Sequence, residues 1–154
     1  DPALDLAGAL RQYFAGFLEP LKHDDLVTQS LRLHVRELLD PTHVWPELIE
    51  RECRAPHMAL IQVLGRHMGV SGVADDMHRL AFSLAGLIMQ LWTQRDPLQA
   101  IAPQLATAAA VDQWVERLTG YALSMVHGEI TRRQATQGPA RLASRTSHKK
   151  ESNA

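Results

Sequence analysis

Cys53 and His57 stand four residues apart in a stretch of helical pattern, the spacing that lets a thiolate and an imidazole turn toward one metal ion. His34 is the only other obvious candidate ligand. With it, the three side chains could build the site of a free-standing helical metal- or cofactor-binding enzyme. The plainer alternative packs Cys53 in the core and lets His57 hydrogen-bond beside Pro56, with no metal and no cofactor. His34 falls between Leu31 and Leu38 on the inward stripe of its helix, where an imidazole needs a partner or a cavity. It could line a pocket or be a satisfied core histidine. Phe14, Phe17, Met58, Phe82 and Met89 are aromatic or soft side chains able to surround an apolar ligand, although the same types at helical spacing also make ordinary core. The candidate ligand-binding residues are therefore Phe14, Phe17, His34, Cys53, His57, Met58, Phe82 and Met89. The chain has no GxSxG, no GK[ST] phosphate loop, no HExxH and no CxxC. Its glycine cluster, Gly65, Gly69 and Gly72, lacks the phosphate-loop lysine and follows a helical pattern rather than a strand. No enzymatic role is expected.

The elements that must position these residues are all helical. Apolar residues recur at helical spacing almost throughout, and no stretch alternates with period two. A first helix is predicted over residues 3–18, with Leu6, Leu10, Phe14 and Phe17 on its stripe and Pro20 ending it. A second starts at Asp24 or Asp25, carries Val27, Leu31, Val35, Leu38 and Leu39, and closes at Asp40-Pro41. A third begins at Pro46 and runs to Met68 on Leu48, Ile49, Cys53, Leu60, Val63 and Leu64, with Gly69 as a left-handed cap. Pro56 lies inside it and removes the bond to the Glu52 carbonyl, so a kink is expected between those two residues.

The fourth predicted helix, over residues 74–95, is apolar on two faces. Met77, Leu80, Leu84, Ile88 and Leu91 form one, and Phe82, Ala85, Gly86, Met89 and Trp92 much of the other. The last, over 111–133, repeats this with Val111, Val115, Leu118, Ala122, Val126 and Ile130 against Trp114, Tyr121 and Met125. One small core can cover only one face of each, so the second faces ask for another chain. Two such helices from each subunit would form a dimeric four-helix bundle.

Charge and composition exclude several classes. The 154 residues are 45% apolar and 21% charged with a net charge of -1, which fits one globular domain able to bury a core without staples. A lone cysteine forms no internal disulfide, so a reducing, cytoplasmic setting is expected. The longest nearly apolar run, residues 80–89, is about half of what crosses a bilayer, and no membrane partner or secretory signal is expected. From Arg132 onward six basic residues face one acid, while the body before it holds ten basic and sixteen acidic side chains. An acidic body argues against a nucleic-acid-binding face on the folded part. Residues 134–154 contain only Leu142 as a large apolar side chain and are expected to be a disordered basic tail behind an effector-binding and dimerisation domain over 1–133.

The segment VRELLDPTHVWPELIERECRAPHMALIQVLGRHMG, residues 35–69, resembles the effector-binding region of TetR-family transcription regulators. It is similar to a subgroup whose helix ends in RE, two hydrophobic residues, an acid and PT, and the Pro56-His57 pair in the next helix matches as well. In helix order the resemblance extends over residues 4–133. It implies a domain that dimerises through its last two long helices and binds a small, mostly apolar effector between the first four, near the Pro56 kink. It also implies a repressor whose DNA contacts come only through a helix-turn-helix domain outside this chain. The start at Asp1-Pro2 fits a piece of a longer regulator.

Overall fold

A computed structural model describes the backbone of residues 5–23, 26–40, 42 and 45–151. It describes their side chains except at 26–28, 30, 31, 34, 38, 45, 48, 51, 52 and 137–151. Described elements are helices and turns, with no strand among them, so the all-α expectation holds. Helix α1 spans Leu6–Leu18 and starts where the Asp5 carboxylate accepts the Gly8 N–H at 2.7 Å. A 3-10 turn, Glu19–Lys22, follows, with Pro20 in its first positions. Helix α2 is Leu26–Leu39; its predicted start at Asp24 or Asp25 and its stop at Pro41 lie outside the described residues.

The predicted third helix is divided. A short α3, Trp45–Leu48, passes into a π-helical stretch, Ile49–Arg54, and α4 resumes over Ala55–Met68 with Pro56 in its first turn. Proline cannot donate the α-helical bond to the Glu52 carbonyl, and the wider π turn accommodates that gap, so the kink takes the form of a change of pitch. The change also breaks the predicted apolar stripe. A π turn holds extra residues and rotates what precedes it, which leaves Ile49 exposed and Cys53 half-buried while Leu60, Ile61 and Leu64 enter the core. Gly69 closes α4 at φ 64°, ψ 31°, the left-handed cap read from the sequence.

Helix α5 spans Asp75–Thr93, ending a little before the predicted stop, and a separate short α6 takes Arg95–Ile101 with Pro97 in its first turn. Two 3-10 turns, Pro103–Leu105 and Ala108–Ala110, lead to α7, Val111–Glu151. Its backbone thus continues well past the predicted end at Arg133.

The core gathers Leu10, Phe14 and Leu18 of α1 and the α4 leucines with Met77, Leu80, Leu84, Ile88 and Leu91 of α5. Val115, Leu118, Ala122 and Val126 of α7 complete it. Helix α1 packs along α7, α4 against α5, and α1 also touches α4 and α5. Arg11 pairs with Glu116 at 2.7 Å and Lys22 with Asp112 at 2.8 Å, fastening the start of the chain to α7. Helices α5 and α7 run antiparallel. Asp76, at the start of α5, meets Arg132 midway along α7, and Leu91, near the end of α5, lines a small cavity with Val111 and Trp114 at the start of α7. No described helix is long and apolar enough to cross a membrane.

Candidate functional site

The π stretch delivers His57 to the α4–α5 contact. His57 Nε2 lies 2.9 Å from His78 Nδ1, the two rings within 10° of parallel and their centroids 5.2 Å apart. One ring donates and the other accepts, the choice depending on tautomer. Phe82 stands one turn beyond His78 on α5, and its ring centroid is 4.4 Å from that of His57. Burial, followed by the neighbouring His78, holds the His57 imidazole below its ordinary 6.5, so the neutral form is favoured. The three rings make a half-buried polar pair capped by an aromatic face that is 66% exposed.

The predicted site residues divide. His57 and Phe82 come together. Met58 is half-buried and packs against the core, and Met89 is half-buried on α5. Phe14 is fully buried among Leu10 and Leu18, in edge contact with Tyr13 at 5.5 Å, and is a core residue. Phe17 leaves the inward stripe predicted for α1: it is 40% exposed, touching Tyr13 at 5.1 Å, and Leu18 takes its place there. The reason is helical phase, since Leu10, Phe14 and Leu18 repeat every four residues and Phe17 falls one step aside. Burial pushes the Tyr13 phenol up to about 12. The His34 side chain lies outside the described residues, and so does the set Cys53, His57 and His34. Within the described residues the nearest imidazole nitrogen to His57 belongs to His78.

His78 was not among the predicted residues. It lies 21 positions from His57, beyond any helical spacing, and the only sequence signal was its place one turn before Phe82. The second constellation missed by sequence reasoning is ionic. Asp76 accepts from Arg79 at 2.8 Å and from Arg132 at 2.6 Å, and Glu129 accepts from both Arg132 and Arg133. These arginines hold the Glu129 carboxyl down at about 2.

The second faces of the long helices are exposed in places. Tyr121 is 50% exposed on α7, Gly86 is exposed on α5, and Leu123 and Met125 pack partly against the core. Trp114 turns inward to donate its indole N–H to the Leu105 carbonyl at 2.9 Å. An open groove of about 800 Å³ runs along this face of α7, lined by Leu105, Gln113, Trp114, Arg117, Gly120 and Tyr121 among others.

Compared with known proteins, residues 6–128 match the model of a family described as the HTH-type transcriptional dual regulator CecR, C-terminal domain. Neither the curated proteins nor the solved structures contain a match.

Proposed function

The chain belongs to the CecR C-terminal domain family, a TetR-type regulatory domain, and on that premise we propose that it is the effector-sensing and dimerisation module of a transcription regulator. Its DNA binding would be exercised by a helix-turn-helix domain outside the chain. The observation that carries the reading is the match over residues 6–128, which takes in α1 to α6 and α7 as far as Gly128. The exposed second faces of α5 and α7 add to it, since a monomer leaves Tyr121 and the groove beside it uncovered. Two copies joining these helices would close a four-helix bundle. The effector is a small, mostly apolar molecule received near the Pro56 kink, where the π stretch interrupts regular packing and the His57–Phe82 face offers an aromatic contact with a polar edge. Cys53 and Met58 flank His57 in sequence on either side of Pro56. The family's name-giving member is a dual regulator; for this chain we take repression as the output and the cytoplasm as the setting.

Binding would act by favouring one of two arrangements of the subunits, so the two DNA-reading heads change their spacing. A light-scattering mass of two subunits at micromolar concentration, together with a thermal shift from a screen of small apolar compounds, is the expected result. A ligand held at a hundred times its dissociation constant adds about 2.7 kcal/mol to stability. A one-subunit mass and a screen without any shift would overturn the reading.

A further inference from the structure

We propose that α7 pairs with the same helix of a second copy, antiparallel about a two-fold axis beside Ser124, with Tyr121 of each subunit seated over the partner's Gly128. This rests on the dimerisation reading and adds its register. Along α7, Arg117, Tyr121, Ser124, Gly128 and Thr131 recur at alternating steps of four and three, the spacing of a seam between paired helices, and all five are exposed. The seam is uneven. Its first half projects one large ring, Tyr121, 50% exposed at the edge of the open groove. Its second half is cut away: a Cβ added at Gly128 would meet nothing within 4 Å, and a hollow of about 390 Å³ opens there between α5 and α7, lined by Leu80, Ser83, Met125 and Gly128 among others.

A two-fold contact must be self-complementary, because residue i meets j and j meets i. A parallel pair would set ring against ring and hollow against hollow. An antiparallel pair centred beside Ser124 sets each ring into a hollow and lays the small second half of one seam in the groove beside the first half of the other. One operation fills both concavities. Leu80 and Met125 offer the Tyr121 ring apolar contact, while Asp76 and Arg79 on the same lining can hydrogen-bond its hydroxyl. Leu80 and Ser83 belong to α5, so each ring also touches the partner's second helix and closes the bundle. Arg117 then comes to the level of the partner's Asp76–Arg132 pair, where the Asp75 side chain is 89% exposed and gives it a carboxylate. Opposite charges favour this register.

The test exchanges ring and hollow. Gly128→Tyr fills the hollow of each subunit; with open space at that position the helicity should be kept, and the dimer dissociation constant read by sedimentation should rise about tenfold or more. Tyr121→Ala combined with Gly128→Tyr pairs ring with gap again, roles reversed, and should bring the constant most of the way back. In a Cys53→Ser background, which removes the lone native thiol, Ser124→Cys should cross-link to its own copy under mild oxidation, since an axis beside Ser124 brings the two Cα atoms within disulfide reach, about 7 Å. That trap holds even if Gly128→Tyr fails to fold. Unchanged association in a folded Gly128→Tyr, no recovery in the double variant, or a chain of two-subunit mass that does not cross-link through Ser124→Cys would each overturn the register. A one-subunit mass for the unsubstituted chain would overturn the dimerisation reading itself, and the register with it.

Discussion

Arg132, midway along α7, places its Nη2 2.6 Å from Oδ2 of Asp76 in the first turn of α5, while the same guanidinium donates twice to Glu129 one turn before it on α7. Through this pair the end of the packed stretch of α7 is tied to the beginning of α5, at the opposite end of the bundle from the Leu91–Val111 cavity. An acid in the first turn of α5 also opposes the positive end of that helix's dipole. The two members of the Arg132–Glu129 contact differ in setting, since the Arg132 side chain is half exposed and Glu129 is only 15% exposed.

That difference predicts unequal costs. Replacing Arg132 by alanine removes pairs whose cation is exposed, and leaves Glu129 its bond from Arg133, so it should cost the less of the two. Glu129→Ala should cost about 1–3 kcal/mol, because it takes the acceptor from Arg133, whose side chain is largely buried and whose Nη2 finds no hydrogen-bond partner among the described residues, Asp76 Oδ2 standing 4.0 Å away. Urea denaturation of the two variants measures the order, and an equal or reversed order contradicts the account.

The same carboxylate fixes a pH window. Hydrogen bonds from Arg132, then burial opposing them, then Arg133 leave the folded Glu129 at about 2 against an ordinary 4.5. A carboxyl depressed on folding contributes stability that is complete above the unfolded value and is lost as pH falls toward the folded one. Between about pH 4.5 and 2 this group should therefore account for a loss of about 1 kcal/mol, discounted for the exposure of Arg132. In Glu129→Gln that share of the loss should vanish, as read from thermal midpoints across the range.

Much of the scaffold was legible because helical phase is a local property. The inward faces of α5 and α7 follow from spacing alone, and Met77, Leu84, Leu118 and Val126 are buried where the stripes predicted. The Gly69 cap was equally readable, since few residues tolerate its positive φ. Legibility ended where phase changes or distant segments meet. The π stretch turned Ile49 away from the stripe, and neither the His57–His78 contact nor the Asp76–Arg132 pair has a spacing to announce it. Arg132 and Arg133, counted from the sequence among the six basic residues of the C-terminal part, are matched by Asp76 and Glu129. The net basic character of the C-terminal segment begins after them.

Phase also separates two phenylalanines that share α1. Phe14 is fully enclosed, so Phe14→Ala should cost about 3–5 kcal/mol through lost burial and the cavity left behind. Phe17→Ala, at a position 40% exposed with its main ring contact to Tyr13, should cost less than about 1.5 kcal/mol. Chemical denaturation of both variants checks the ratio, and a Phe17 cost matching that of Phe14 would restore the original stripe.

The tail makes a separate prediction. Residues 134–154 offer only Leu142 as a large apolar side chain, and the helix that continues to Glu151 there would rely on local bonds. Removal of everything after Arg133 should leave the thermal midpoint and the number of subunits per assembly unchanged. Trypsin should cut at Arg141 and Arg145 before any site in the body. Protection of those two sites would show a docked tail.

The proposed dimer can be probed at one position. Leu123 and Met125 are poor choices, since both pack partly against the core and a charge there would unfold the subunit as readily as it would separate a pair of subunits. Tyr121 is half exposed at the edge of the α7 groove, beside Gly120, where a second helix could approach closely. A lysine at 121 keeps its head in water in a lone subunit and should leave the circular dichroism spectrum intact. In a bundle two such lysines would be driven toward the interface, at a cost of desolvation without a partner. Tyr121→Lys should therefore halve the light-scattering mass at micromolar concentration without lowering helicity. A mass of two subunits retained by this variant would place the interface elsewhere than on this face of α7.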